Sequence, residues 1–204
     1  MTGKGSLNHN SRKFHAKNTD PNRTHWNVEY CNEDIKDVYH ELFDDALKRY
    51  NDKQTRKDRK IDDYYEKIRS GKQEKLFHEV ILQIGDKDNM GSETMEGQLA
   101  AKILDEYMKG FQERNPTLRV FAAHLHLDEA TPHLHIDFIP YVTGSKRGLD
   151  TRVSLKQALS SLGFKGGSRS ETELNQWVQS EKQKLAMVMR ENEIEWDQKG
   201  THEQ

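Results

Sequence analysis

Residues 124–140 read HLHLDEATPHLHIDFIP. Two apolar runs, each with histidine at alternate positions, flank the short polar segment DEATP. Strand side chains alternate between faces. His133 and His135 therefore share one face, with Leu134 on the other, and His124 and His126 share a face of the preceding run. The stretch predicts two antiparallel strands, residues 119–127 and 133–141, joined by a slightly extended turn. Closing this hairpin brings His126 up to His133 and His135, while His124 lies farther from the turn. Three imidazoles from adjacent strands, with positions left for water or substrate, form the ligand set of an open metal site. Asp128 and Glu129 sit at its mouth. One can orient a ligand imidazole through its second nitrogen, and the other can act in proton transfer.

Outward from the hairpin, residues 26–30 alternate large and polar side chains and predict a short strand. Ile35, Val38, Tyr39, Leu42, Phe43, Ala46, Leu47 and Tyr50 follow a helical period. After the charged stretch 51–60, a second helical stretch carries Ile61, Tyr64, Tyr65 and Ile68, and Gly71 ends it. Residues 75–84, KLFHEVILQI, suit a buried strand. Residues 93–114 predict an amphipathic helix stopped by Asn115-Pro116. After the hairpin come a Gly-rich basic loop (143–152), a short helix from Ser154, a Gly/Ser loop (163–170) and a helix over 172–192. Residues 1–23 read as a loop-rich lead-in with a short strand near Ser6 and Leu7. This order predicts an α+β fold, a central antiparallel sheet with flanking helices.

The chain has 204 residues, enough for one domain and an extension. Only 33% of residues are apolar and 32% are charged, with a mean hydropathy of -1.04, which predicts a modest core under solvated helices. The single cysteine, Cys31, excludes an internal disulfide and fits a reducing cytoplasm. No apolar run has the length of a membrane span or a signal peptide. A net charge of -2 makes no global case for nucleic acid, but its distribution does. Residues 1–25 hold five Lys/Arg against one acid, and residues 48–60 hold seven against two. Lys146, Arg147 and Arg152 follow the histidines. Such patches hold phosphates locally.

HLDEATPHLH resembles the signature of the plasmid mobilisation and recombination relaxases, the Mob/Pre (MOBV) class of HUH endonucleases. That superfamily takes its name from two histidines around an apolar residue, here His133-Leu134-His135. Upstream, His9-Asn10-Ser11-Arg12 is similar to the first motif of the class, HNxR. DPNRTHWN (20–27) is similar to its second, with Arg23, Thr24 and Asn27 as matching positions. Val28 stands where some relatives carry tyrosine, so a tyrosine there is not part of this chain's chemistry. The resemblance covers residues 3–200. It implies a relaxase domain over 1–200 and a tail, 201–204, that can belong to a longer chain with a dimerising or partner-binding C-terminal region.

The resemblance implies that His126, His133 and His135 bind a divalent metal and that His9 is the nucleophile. Arg12 beside it would stabilise phosphate charge. Glu129 would assist as a general base or as an outer partner of the ligands, and Asp128 as an outer partner. Asn10, Lys13, Lys17, Arg23, Asn27, Lys146 and Arg147 become candidate DNA contacts, and Trp26, Phe164 and Trp177 candidate stacking groups. Three imidazoles by themselves favour Zn2+, Ni2+ or Fe, and Co2+ fits the same set. The resemblance points to Mn2+ or Mg2+. The expected partner is transfer-origin DNA, single-stranded or as a hairpin, with no membrane.

Other readings fit less well. A replication initiator or transposase of the superfamily needs a tyrosine on a downstream helix, and none follows Tyr141. A histidine-triad hydrolase needs a third histidine where Asp137 stands. A cupin needs more strands. A non-catalytic DNA-binding module with a structural metal needs a fourth Cys or His ligand, for which Cys31 is the one cysteine.

Overall fold

The computed structural model describes residues 2–3, 6–14, 16–86, 88 and 90–195. A two-residue strand, β1 (Thr2–Gly3), precedes a single helical turn, α1 (Leu7–Asn10). Strand β2 (Val28–Asn32), helices α2 (Ile35–Asp52) and α3 (Tyr64–Ser70), and strand β3 (His78–Gln83) follow. Helices α4 (Met95–Lys109) and α5 (Phe111–Arg114) lead into the hairpin of β4 (Leu118–His126) and β5 (His133–Val142). Strand β6 (Arg152–Val153) and helices α6 (Leu155–Ser161) and α7 (Glu173–Glu191) come last.

The longer helices start where the sequence supplies a cap. The side chains of Asp34, Asp63, Thr94, Ser154 and Thr172 each accept a first-turn N–H, at α2, α3, α4, α6 and α7 respectively. Gly97 inside α4 is required by packing. A Cβ there would lie 1.9 Å from the Gly91 carbonyl oxygen, so glycine lets α4 press on the 90–92 loop. That loop in turn ties to the hairpin turn, because Ser92 Oγ donates to the Glu129 carbonyl.

The sheet runs β1-β3-β5-β4-β2, with every pairing antiparallel and β6 attached to the far end of β5. It is the antiparallel sheet with flanking helices expected from the sequence. One face, carrying Val80, Leu125, Leu134, Ile136 and Phe138, packs against α4, α5, α6 and α7. The other face has two regions. Phe121, Ala122 and Ile139 pack against α2 and α3. Farther toward the β4–β5 turn the same face carries the histidines. A bulge in β4 between Val120 and Ala122 adjusts the strand between these regions.

Some local expectations change. Ser6 and Leu7 do not form a strand: Leu7 opens α1 and packs toward α2 and α3, and the strand lies at Thr2–Gly3. The segment 75–84 is a central strand, but Ile81 is 38% exposed because its face turns toward the histidine region and not into a core. The helix expected over 93–114 divides at Gly110 into α4 and α5. Trp26 belongs to a 3-10 turn before β2. The tail expected at 201–204 lies outside the described residues.

His78 of β3 faces the larger core, stacked on Phe138 with ring centroids 6.0 Å apart. Burial pushes its pKa down to about 4, with Lys75 adding to the effect. Below about pH 6.5 the unfolded chain takes up a proton that the folded chain refuses until about pH 4. Stability therefore falls as pH drops through that window. His78→Phe keeps the stack and removes the titration. In urea unfolding, its loss of stability between pH 7 and 4.5 is expected to be smaller than the wild type's by about 2 kcal/mol. Equal losses would show that His78 is not held neutral.

Candidate functional site

Strand register builds the site. His126 of β4 pairs directly with His133 of β5, and His124 with His135. His126 leans across the hairpin, so its ring centroid lies 5.2 Å from His133 and 4.8 Å from His135. One nitrogen from each of these three rings falls within 4.8 Å of the others. His124 stays outside the cluster, with its Nε2 at 3.2 Å from Glu29.

The outer nitrogen of each ring faces a fixed acceptor. His126 Nε2 lies 2.9 Å from the Asn10 carbonyl, His133 Nδ1 2.9 Å from the Thr131 carbonyl, and His135 Nδ1 2.7 Å from Glu79 Oε1. These groups only accept, so each outer nitrogen carries the ring hydrogen and donates it. The inner nitrogens are then lone pairs: His126 Nδ1, His133 Nε2 and His135 Nε2. The first two face each other at 3.3 Å with no hydrogen to share, and His135 Nε2 is buried with no hydrogen-bond partner. Burial holds the His126 and His133 pKa values below the ordinary range, which keeps both rings neutral. Three converging lone pairs of this kind fit a divalent cation.

Glu79 was not anticipated from the sequence. In a run such as HEVIL an acid on a strand reads as a solvent-facing residue, yet Glu79 is 4% exposed. Against its desolvation, hydrogen bonds from His135 and Asn10 lower its pKa. Asp137, two residues beyond His135, is also buried, and Asn10 Nδ2 donates to both carboxylates, at 2.8 Å to Glu79 and 3.2 Å to Asp137. Burial first, and Glu79 second, push the Asp137 pKa up to about 7. Asn10 therefore joins the lead-in segment to the rear of the histidine cluster and is 2% exposed. It is a packing residue and not the DNA-facing group expected.

His9 stands one residue earlier on α1, partly exposed. Its Nε2 lies 3.3 Å from Glu129 Oε1 and 3.3 Å from Arg12 Nη1. The same Glu129 oxygen is 3.7 Å from His133 Nε2 and 4.0 Å from His126 Nδ1. Glu129 thus bridges His9 and the cluster. It is held from both sides: Arg12 Nη2 donates to Oε1 at 2.8 Å, and Asn18 Nδ2 to Oε2 at 2.7 Å. Arg12 ends α1 in the left-handed region, with φ at 52°. A non-glycine residue there stores strain, offset by Arg12's ion pairs to Asp128 and Glu129.

Asp128 does not touch a histidine ring. It is fully buried and its carboxylate accepts from Arg12 and Thr24 Oγ1, and these groups with the nearby Asn27 amide drive its pKa far down against desolvation. The outer partners of the rings are Glu79 and two backbone carbonyls instead. Asn27 Oδ1 accepts the N–H groups of Leu127 (2.7 Å) and Asp128 (3.2 Å), and Arg23 donates to the Leu127 carbonyl. The 20–27 motif therefore pins the hairpin turn, and the amide oxygen of Asn27 is committed there.

Lys13 and Lys17 are exposed on the segment that carries His9, whereas Lys146 and Arg147 lie beyond the opposite end of β5. Trp26 is 41% exposed. Trp177 is buried, its Nε1 donating to Asn115, and Phe164 packs on the larger core, so neither faces a ligand. Tyr30 turns its hydroxyl to Asp105 of α4, on the face opposite the histidines. Phe14, which no motif in the sequence marks, is 50% exposed, and its ring lies 5.9 Å from that of His9.

Residues 5–188 match the model of one protein family, Mob_Pre, described as plasmid recombination enzyme. Among curated proteins none matches the chain. Several solved structures share its fold, among them two with a TM-score of 0.53. Both are Mn-bound crystal structures of the MobM relaxase domain (MOBV; Mob_Pre) with plasmid pMV158 oriT DNA of 22 nucleotides. The one at pH 5.5 is 23% identical, with a TM-score of 0.53, and the match covers 97% of this chain and 86% of that one. The one at pH 4.6 is 22% identical, with a TM-score of 0.53 and coverage of 97% and 85%. No described helix is long and apolar enough to cross a membrane.

Two substitutions separate the roles of the acids. Asp128→Ala leaves the guanidinium of Arg12 without its buried partner and is expected to cost about 3 kcal/mol in urea unfolding; a cost under about 1 kcal/mol would show the pair to be solvated. Glu79→Gln is expected to weaken Mn2+ binding ~10–100-fold by calorimetry. Unchanged affinity would mean that Glu79 does not orient His135.

Proposed function

Because the chain belongs to the plasmid recombination enzyme family, Mob_Pre, we propose that it is an HUH relaxase. It nicks one strand of plasmid or mobile-element transfer-origin DNA and retains the 5′ phosphate in a covalent bond to His9. The observation that carries this reading is the triad of imidazoles whose inner nitrogens converge, one carboxylate away from a partly exposed histidine on a separate segment. No cysteine completes a structural site, since Cys31 sits on β2 opposite Ala123 and packs toward the larger core.

His126 Nδ1, His133 Nε2 and His135 Nε2 would hold the metal. Mn2+ is the first choice, because relatives of the same fold hold manganese, and Mg2+ the second. When bound, the ion supplies Lewis-acid polarisation of the scissile phosphate. The rest falls to the chain's own side chains. From a protonated His9, Glu129 accepts the Nε2 proton, 3.3 Å away, and leaves the neutral ring with its Nε2 lone pair free for attack. The Nε2–P bond forms as the P–O3′ bond breaks, and the 3′ oxygen leaves and takes up the proton that Glu129 accepted. Arg12, anchored by Asp128, directs Nη1 at His9 and is placed to offset charge that develops on the phosphate. Phe14 offers a stacking face to an unpaired base beside His9. Lys13, Lys17 and Arg23 supply phosphate contacts on the same segment. We assign the relaxase domain to residues 1–200 and its setting to the cytoplasm, where its DNA substrate lies.

His9→Ala is expected to abolish nicking of supercoiled plasmid carrying the origin, with the affinity for single-stranded origin DNA within about threefold of wild type, because binding is spread over many phosphates. The trapped wild-type adduct is a phosphoramidate. It is expected to break in mild acid, and the labelled peptide to contain His9. An acid-stable adduct, or one mapped to Tyr30, would contradict the assignment.

A further inference from the structure

Beyond the far end of β5 a cleft of about 710 Å³ opens between α3 and the 147–153 segment. Lys67, Lys72, Arg147 and Arg152 line it. Its one carboxylate, Glu74, interacts with Ser154, the Leu155 backbone and Arg152. Lys67, Lys72 and Arg147 are exposed, and among the described residues no carboxylate pairs with them. Several exposed cations elsewhere on this chain are ion-paired, as Lys48 is with Asp52, Arg49 with Asp150 and Arg69 with Glu66. A group of unmatched cations around one concavity is a site for an anion with several charges.

Position and composition narrow the ligand. The cleft adjoins α2 and α3, on the face of the sheet that carries the histidines. Arg152 pairs with Val142, seven residues along β5 from His135. At ~3.4 Å per residue this is roughly 24 Å from the cluster, or about seven steps of a nucleic-acid duplex at ~3.4 Å each. The cleft presents no aromatic face. Its one aromatic, Tyr64, is buried, with the hydroxyl accepting from Val153 N–H. Single-strand sites combine cations with stacking rings, and Phe14 and Trp26 offer such rings near His9 and the hairpin turn. Cations without rings suit the phosphate backbone of paired DNA, which hides its bases.

We propose that this cleft holds the backbone of double-helical DNA flanking the nicked strand, about seven base pairs from the scissile phosphate. The proposal rests on the DNA-nicking function above and adds a second contact zone with a different preference. Duplex held there would fix how far the unpaired segment lies from the paired one, and so which phosphate reaches His9.

The test compares two fluorescent probes, a 20-base single strand of mixed sequence and the same strand joined to a 12-base-pair duplex arm, by anisotropy over a range of salt. The protein is the full chain and its Lys67→Glu/Lys72→Glu variant, with thermal melts to show that both are folded. Wild type is expected to bind the joined probe more tightly. The variant is expected to lose about tenfold on the joined probe and less than about twofold on the single strand, with the salt slope on the joined probe lower by about two. The single reversal Lys72→Glu is expected to move affinity in the same direction. Equal loss on both probes would reduce the cleft to a general attraction and overturn the proposal, as would no loss on either. If wild type binds neither probe, the DNA-nicking function itself fails.

Discussion

The antiparallel pairing of β4 with β5, with His126 opposite His133, is the constraint on which the site depends. Side chains alternate along both strands, so a slip of one residue would send every histidine into the larger core and bring Leu134 and Ile136 out to the surface. The apolar half of the hairpin therefore enforces the polar half. Leu125, Leu134 and Ile136 are buried on one face, and that burial fixes the opposite face, where His126, His133 and His135 converge. The site needs no hydrophobic core of its own, because it is positioned by the one behind it.

The lead-in segment supplies what the sheet lacks. It contacts the hairpin through polar groups: the Asn10 carbonyl to His126, Asn10 Nδ2 to Glu79 and Asp137, Arg12 to Asp128 and Glu129, and the Asp128 carbonyl to Asp20 N–H. These groups lie between 10–20 of the chain and residues more than fifty positions away. The left-handed Arg12 turns the chain so that His9 and the guanidinium reach Glu129 together. One carboxylate thereby touches the candidate nucleophile, its charge partner and the cluster. A segment held by this network can be remodelled when DNA enters, since few apolar contacts would have to be broken.

Much of this was legible in the sequence because it is local. The alternation in HLHLDEATPHLHIDF carries strand type, face and turn, and the helical periods of 35–50 and 95–108 carry the helices. What the sequence did not disclose are pairings across distance. Asn10 and Asn27 read as surface amides in polar motifs, and only the folded chain shows them spent on buried carboxylates and on the hairpin turn. Asp128 and Glu129 are adjacent in a polar turn, and nothing in their order tells which faces Arg12 alone and which also faces His9. Glu79 was hidden inside an apolar run, where its purpose depends on β3 pairing with β5 beside His135. Two-residue strands such as β1 and β6 carry no periodic signal.

Metal binding depends on which ring nitrogens face inward. A crystal of the protein soaked in Mn2+ and measured at the manganese absorption edge tests that claim. One anomalous peak is predicted, at about 2.0–2.2 Å from His126 Nδ1, His133 Nε2 and His135 Nε2, with Glu79 still bonded to His135 Nδ1. A peak elsewhere, or coordination through His126 Nε2 with its bond to the Asn10 carbonyl broken, would contradict it.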